Sequence, residues 1–285
     1  MGMMSKIIFT ADLHGDNGLY DQLFDLGHKE KATALLIGGD MLPKEGDFFK
    51  LFDQQKKFIR RHLKSVLKKN ARRNPSIPVY AMLGNDDWAG NLPYLRELET
   101  QGLLFIVHGK KFSLPGGFEL IGYGNVPPTP FIIKDWERID LPEVSLEDQY
   151  PTAFLSDPKG MKPIKTLAYF QGQKTLGEEL NDLPIPYSYQ KTIYAFHAPP
   201  FQTKLDHLYD GRPIGSRAIR RFIEKHQPFL TLHGHIHESP YLSGSYLDRI
   251  GKTLCVNPGQ MGNTLHAVIL DLDRPEETIR HTVLG

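Results

Sequence analysis

The stretch Phe229-Leu230-Thr231-Leu232-His233-Gly234-His235-Ile236-His237 reads as a short β run that ends in paired histidines. Gly234 lets the backbone turn tightly. His235 and His237 are two apart, so in an extended segment they point to the same side. Four other clusters end strand-like runs in the same way. Asp12-Leu13-His14 follows Ile7-Ile8-Phe9-Thr10, and Gly39-Asp40 follows Leu35-Leu36-Ile37. Gly84-Asn85-Asp86-Asp87 follows Val79-Tyr80-Ala81-Met82-Leu83. His197 follows Tyr194-Ala195-Phe196 and precedes Pro199-Pro200, which stiffens the exit from that strand.

Each cluster has a plainer reading by itself: a turn, a capped loop, a hydrogen-bonded structural histidine. Together they supply the donors of a two-metal site. A carboxylate and an imidazole on one side of a strand end (Asp12 and His14) can share a cation. An Asn85 carbonyl adds a neutral oxygen where more carboxylate would over-neutralise the metals. Mixed His and Asp donors suit Mn, Fe, Zn or Ni better than Ca or Mg. Two divalent cations against the charges of Asp12 and Asp40 leave a positive excess that attracts a phosphate ester. Such pairs activate water as hydroxide and clamp the attacking and leaving oxygens. The expected cofactor is two divalent ions, with Mn first.

Helices alternate with strands early in the chain and strands dominate late. That pattern predicts an α/β (α+β) assembly, one domain over residues 1–285 with helices outside a mixed sheet. Residues 6–38 read strand, helix, strand, and residues 47–70 read as one long amphipathic helix carrying Phe48, Leu51, Phe52, Ile59, Leu63, Val66 and Leu67. Asn91–Gln101 reads as helix. Leu103–Val107, Lys111–Leu114 and Phe118–Ile121 read as strands, with a turn at Pro115-Gly116-Gly117. Residues 127–190 break the rhythm. They hold nine of the 21 prolines and show helical spacing only near 164–181. This Pro-rich segment reads as an insertion, either a cap over the site or a surface excursion. Further on, Thr192–Phe196 reads as strand and Ser216–His226 as helix. The tail from Leu254 to Val283 reads as β segments with turns at Asn257-Pro258-Gly259 and Asp273-Arg274-Pro275.

Composition sets outer bounds. Hydrophobic content of 40% and charged content of 24% are ordinary for a globular protein, and the net charge is +1. Nothing global therefore points to nucleic acid or membrane. Residues 56–73 hold nine Lys or Arg and no acid. That run reads as a solvated helix face rather than a nucleic-acid track, since few aromatics interleave it. The single cysteine, Cys255, reads as a small buried apolar residue, and one cysteine suits a reducing compartment. No signal peptide and no run of about 18 apolar residues is visible, so the expected location is cytoplasmic. Lys6 stands where a myristoylation pattern wants Ser or Thr. Nothing in the sequence indicates an oligomeric state.

The five clusters, in their order, resemble the calcineurin-like metallophosphoesterase superfamily. Its pattern runs Asp-x-His, Gly-Asp, Gly-Asn-His-Asp/Glu, a lone His and Gly-His-x-His, and the likeness spans Asp12 to Asn257-Pro258-Gly259. The resemblance implies a four-layer α/β/β/α sandwich with metals at the strand C-terminal ends. It implies Asp12, His14 and His237 on one metal, Asn85, His197 and His235 on the second, and Asp40 bridging. It implies a phosphate-ester substrate, with nucleotide-like esters among those expected, and metal-bound hydroxide as the nucleophile.

One position departs from the pattern. Where the superfamily has a His that protonates the leaving oxygen or steadies the phosphate, this chain has Asp86. An ionised Asp can do neither, and it repels a dianionic monoester more than a monoanionic diester. A phosphodiesterase is therefore the first reading. Asp86 either turns away from the metals or carries a raised pKa and donates a proton as a catalytic residue. Other readings are a phosphomonoesterase or protein phosphatase, a nuclease using residues 56–73, and a non-catalytic, metal-stabilised interaction module. Asp87 reads as a turn-stabilising or supporting acid, and His233 as core or support for the ligands. His207 and Arg212 read as surface residues, with Arg212 also a candidate phosphate clamp that binds substrate.

Overall fold

The computed structural model describes residues 5–143 and 153–284. Among the described residues, fourteen strands carry the architecture: β1 (Lys6–Thr10), β2 (Ala34–Gly38), β3 (Val79–Met82), β4 (Phe105–Ile106), β5 (Lys111–Leu114), β6 (Phe118–Tyr123), β7 (Ala153–Asp157), β8 (Gly160–Ile164), β9 (Thr192–Phe196), β10 (Leu230–Leu232), β11 (Leu247–Ile250), β12 (Thr253–Val256), β13 (Val268–Asp271) and β14 (Arg280–His281). Two six-stranded sheets run in the orders β14-β13-β1-β2-β3-β4 and β11-β12-β10-β9-β6-β5, and β7 pairs with β8. Strands β1 to β4 are mutually parallel, and so are β6, β9, β10 and β12.

Alternation along the strands builds the layers. Ile7 and Phe9 of β1 face the second sheet, meeting Leu120, Ile193, Leu230 and Val256 in a core between the sheets. Ile8 points the other way, to Leu19, Leu23, Ile59 and Leu63. Leu19 and Leu23 come from α1 (Asn17–Glu30), and Ile59 and Leu63 from the π turn Ile59–Leu63 that joins α2 (Phe48–Phe58) to α3 (Lys64–Arg73). A fourth helix, α4 (Leu92–Thr100), joins this outer layer through Leu95 and Leu98. On the far face of the second sheet, Tyr194 and Phe196 pack on Leu176 and Leu180 of α6 (Leu176–Asn181) and on Ile219, Phe222 and Ile223 of α7 (Arg217–His226). The result is the expected α/β/β/α sandwich.

Several local expectations need correction. The helical spacing near 164–181 resolves into α5 (Thr166–Gln171) and α6, not one helix. The break has a physical cause: Gly172 closes α5, and Thr175 with Glu178 forms a capping box that restarts the chain as α6. The turn at Asp273-Arg274-Pro275 runs on into a short helix, Pro275–Thr278. Strand β11 had no sequence signal, because Leu247 and Asp248 are half-buried and Arg249 is exposed, so no apolar run marks it. Of the basic run, Lys69 pairs with Asp21 and Arg73 with Asp25, both on α1, while Lys56 and Arg60 lie over the Tyr94 ring.

Part of the 127–190 segment falls outside the described residues. Its described portions dock beside the loop after β3. Ile133, Phe154 and Met161 pack with Trp88, Phe48, Leu51 and Phe52. Ala89 N donates to Asp135 Oδ2 at 2.9 Å, and Gly90 N donates to Ser156 Oγ at 2.7 Å. No helix among the described residues is long and apolar enough to cross a membrane.

Candidate metal centre

All five clusters lie at the C-terminal ends of parallel strands, β1, β2, β3, β9 and β10, where the edges of the two sheets meet. The backbone does not arrive there as extended chain. Seven non-glycine residues among those described have positive φ, and four are Asp12 (59°), His14 (42°), Asp40 (47°) and His235 (68°). Left-handed conformations cost free energy for such residues, and they concentrate where a site over-determines the chain. This corrects the parity reading. Asp12 and His14 converge through a tight turn beyond β1, and His235 and His237 do not share one side.

The histidines divide between two groups. Asp12, His14 and His237 bring donor atoms within 4.8 Å of one another, and so do Asp40, His197 and His235. Within the first, His14 Nε2 and His237 Nε2 are 3.3 Å apart, and His237 Nε2 is 3.4 Å from Asp12 Oδ1. Within the second, His197 Nε2 lies 3.4 Å from Asp40 Oδ2 and 3.3 Å from Asn85 Oδ1. A third group, His14, Asp40 and Asp86, overlaps both and places Asp40 between them.

These donors fit divalent cations. The His14 Nδ1 atom is buried with no hydrogen-bond partner, beside a cluster of acceptor atoms that only a cation or protons can reconcile. The His197 Nδ1 atom is 2.8 Å from the Gly38 carbonyl, which takes the ring N–H and leaves Nε2 free to face Asp40 and Asn85. Close packing makes glycine necessary at Gly39, Gly84 and Gly234, where a Cβ on the last would sit 2.7 Å from Asp12 Oδ2. A Cβ on Gly39 would sit 2.3 Å from His197 Nδ1, and one on Gly84 would sit 2.4 Å from Asp40 Oδ1.

The pKa shifts show how the site balances its charge by protons. Burial works against a charged His197, but the adjacent Asp40 outweighs it, with help from Asp12, and lifts the ring to about 9. Burial alone would raise Asp40 and Asp12, yet their histidine partners hold both below the usual carboxylate range. Burial pushes His14 and His235 down to about 3. The His197–Asp40 pair therefore stabilises the metal-free fold fully between pH 3.8 and 6.5, and that contribution drains away as pH rises through about 9 and again in acid as Asp40 takes a proton. A cation held by His197 Nε2 needs the neutral ring. Loading Mn²⁺ at pH 7 should release a proton, and affinity should climb between pH 7 and 9. Calorimetry in buffers of different ionisation enthalpy measures this, and zero proton release would contradict it.

Asp86 does not turn away. Its Oδ2 lies 3.8 Å from Lys44 Nζ and 4.0 Å from His14 Nδ1, and its backbone N–H donates to Asp40 Oδ1 at 2.8 Å. Burial and the Asp40 charge lift its carboxyl to about 7, against the pull of Lys44. Asp87 is fully buried and accepts the backbone N–H groups of Met41, Leu42 and Gly84. It therefore ties the Asp40 loop to the Asn85 loop.

His233 spends both ring nitrogens in the core, Nδ1 on the Ala198 carbonyl and Nε2 on Thr231 Oγ1. Cys255 is buried and its thiol is pushed up to about 12. His207 is half-buried rather than on the surface, with its Nδ1 buried and unpartnered. Arg212 lies at the cleft mouth, exposed, its Nε 2.6 Å from Asp210 Oδ2.

Two residues escaped sequence reasoning. Lys44 borders the cleft four residues after Asp40, a surface lysine by any local signal. Gln55 of α2 is fully buried. Its Nε2 donates to the carbonyls of Pro43 and Asp86, and its Oε1 accepts from Trp88 N. A polar residue between Leu51, Phe52 and Ile59 on an apolar helix face was the available signal. Asn257 acts similarly, donating to the carbonyls of Leu205, Gly234 and Ile236.

The model of the calcineurin-like phosphoesterase family matches residues 5–239. The chain belongs to that family. The calcineurin-like phosphoesterases are metal-dependent hydrolases with a binuclear divalent centre, and the donor groups of this phosphoesterase are of that kind. Its fold is shared with TT1561 of Thermus thermophilus, which is 16% identical with a TM-score of 0.57, covering 99% of this chain and 100% of the other. A dimetal phosphatase from Danio rerio is 11% identical with a TM-score of 0.52, covering 94% of this chain and 92% of that one. Another solved structure reaches a TM-score of 0.64 at 17% identity, with 99% and 100% covered. None of the curated proteins matches this phosphoesterase.

Proposed function

We propose that this phosphoesterase hydrolyses phosphodiesters, with Mn²⁺ as its working cation. When bound, two divalent cations supply Lewis-acid charge and lower the pKa of water. Asp12, His14 and His237 would hold one, Asn85, His197 and His235 the other, and Asp40 would contact both. The Gly38 carbonyl and the Asp87 carboxylate keep these side chains oriented. Lys44 offers the cleft a positive charge for a phosphate oxygen.

The observation that carries the diester reading is the Asp86 carboxylate, aimed into the site 4.0 Å from His14. It stands where the family has an imidazole that can donate. Its carboxyl titrates near 7, so above that pH it is largely ionised, and each negative charge of a phosphate held about 4 Å away costs roughly a few kcal/mol in a partly screened site. A dianionic monoester bears that cost about twice over relative to a diester. The test compares p-nitrophenyl phosphate with bis(p-nitrophenyl) phosphate on the Mn²⁺-loaded protein. The diester should show kcat/KM at least about 10-fold higher, a difference of roughly 1.4 kcal/mol. Asp86→Asn should narrow the ratio. A monoester that reacts faster on the wild type would overturn the assignment.

A further inference from the structure

The metal donors form the floor of a cleft of about 560 Å³, bordered by Asp40, Asn85, His235 and His237. Its sides have a different chemistry. Pro127, Pro128, Pro130 and Phe131 of the inserted segment border it, as do Leu208 and Ile214 from the loop after His197. Phe131 is 54% exposed and Ile214 is 37% exposed. Two large apolar side chains held in water beside a polar centre are the makings of a binding wall, since ligand sites pair apolar sides with a few polar anchors.

The wall is built to stay in place. Three prolines restrict its backbone. Beneath it, Lys134 and Glu137 form an ion pair with both side chains fully buried. Lys134 Nζ donates to the carbonyls of Thr129 and Phe131, and Glu137 accepts from Thr129 N and Oγ1. A buried ion pair is costly to desolvate and is weak evidence for stability alone. Here these hydrogen bonds hold the Thr129–Phe131 turn, which presents the Phe131 ring to the cleft. A ligand group that meets such a surface loses little entropy in ordering it.

We propose that this wall is a subsite for an aromatic ring carried by the organic part of the phosphoester, seated on Phe131 and Ile214 while the phosphate lies over the metal donors. The proposal rests on the phosphodiesterase reading and names its substrate class: esters bearing a flat ring close to the phosphorus. Offset or edge-to-face contact with Phe131 would hold the ring, and a small alkyl ester would leave the wall wet.

The test is calorimetric binding of phenyl methyl phosphate and of dimethyl phosphate to the Mn²⁺-loaded full chain. Both are monoanionic diesters, and phenoxide leaves more readily than methoxide, so phosphorus NMR of each titrated mixture checks that the heat is binding and not turnover. The phenyl ester should bind about 10-fold tighter, and Phe131→Ala should remove most of that preference. Ile214→Ala, on the second loop, should remove part of it. Equal affinities, no detectable binding of the phenyl ester, or a full preference surviving in both variants would overturn the subsite. Failure of the enzymatic reading looks different. A protein that hydrolyses no phosphoester but keeps the ring preference loses the activity and retains the subsite. A protein that hydrolyses diesters without the preference does the reverse.

Discussion

Asp40→Asn should lower phosphoester hydrolysis by about 10³-fold or more, because several kcal/mol of Lewis-acid stabilisation would be lost. Asp40 is the one residue shared by the donor group of His197 and His235 and by that of His14 and Asp86. Asparagine keeps its shape and can still accept the Asp86 N–H, so the loop should hold. What disappears is the charge. Asp40 is also the main cause of the raised His197 pKa, so the variant's His197 should titrate well below about 9. Metal analysis after dialysis, kcat with added Mn²⁺, and the NMR titration of His197 check the three parts. A variant retaining full metal content and more than about a tenth of the wild-type rate would remove Asp40 from the centre.

Lys134→Met should destabilise the fold by about 3–5 kcal/mol, since it strands the Glu137 carboxylate in an apolar interior. Both side chains have no solvent exposure, and among the described residues Glu137 accepts otherwise from Thr129. The Thr129 and Phe131 carbonyls would also lose their donor. Removing both charges in Lys134→Met with Glu137→Met should recover part of the loss, because the cost lies in the unpaired charge. Urea unfolding of the two variants measures this. A single variant within about 1 kcal/mol of wild type would show that the pair contributes little.

The strand-end clusters were legible because a ligand motif is a local pattern: an apolar run, in three of the five a glycine, then a donor. The same holds for β1, β9 and the long helix over 47–70, whose periodicities follow directly from burial on one face or two. Legibility failed where the signal was not local. β11 is half-exposed at the sheet edge, so its sequence lacks the apolar alternation that burial would impose. The left-handed turns at Asp12, His14, Asp40 and His235 fall on residue types that tolerate positive φ better than most yet adopt it in a small minority of cases, so residue type alone does not place them. Lys44 and Gln55 look ordinary in sequence because their roles depend on what lies opposite them.

By itself the sequence determined the chemistry of this protein. Residue types at strand ends are a property of short segments, and they named a two-metal phosphoesterase before any contact was known. Only the tertiary structure decided which donors meet. His235 N donates to the Asp12 carboxylate across 223 residues of chain, and that meeting is set by the pairing of strands within each sheet and the packing of one sheet on the other. The same packing splits His235 from His237, aims Asp86 inward, and sets the proline wall beside the centre. Long-range register, unlike residue type, exists only once both sheets have formed.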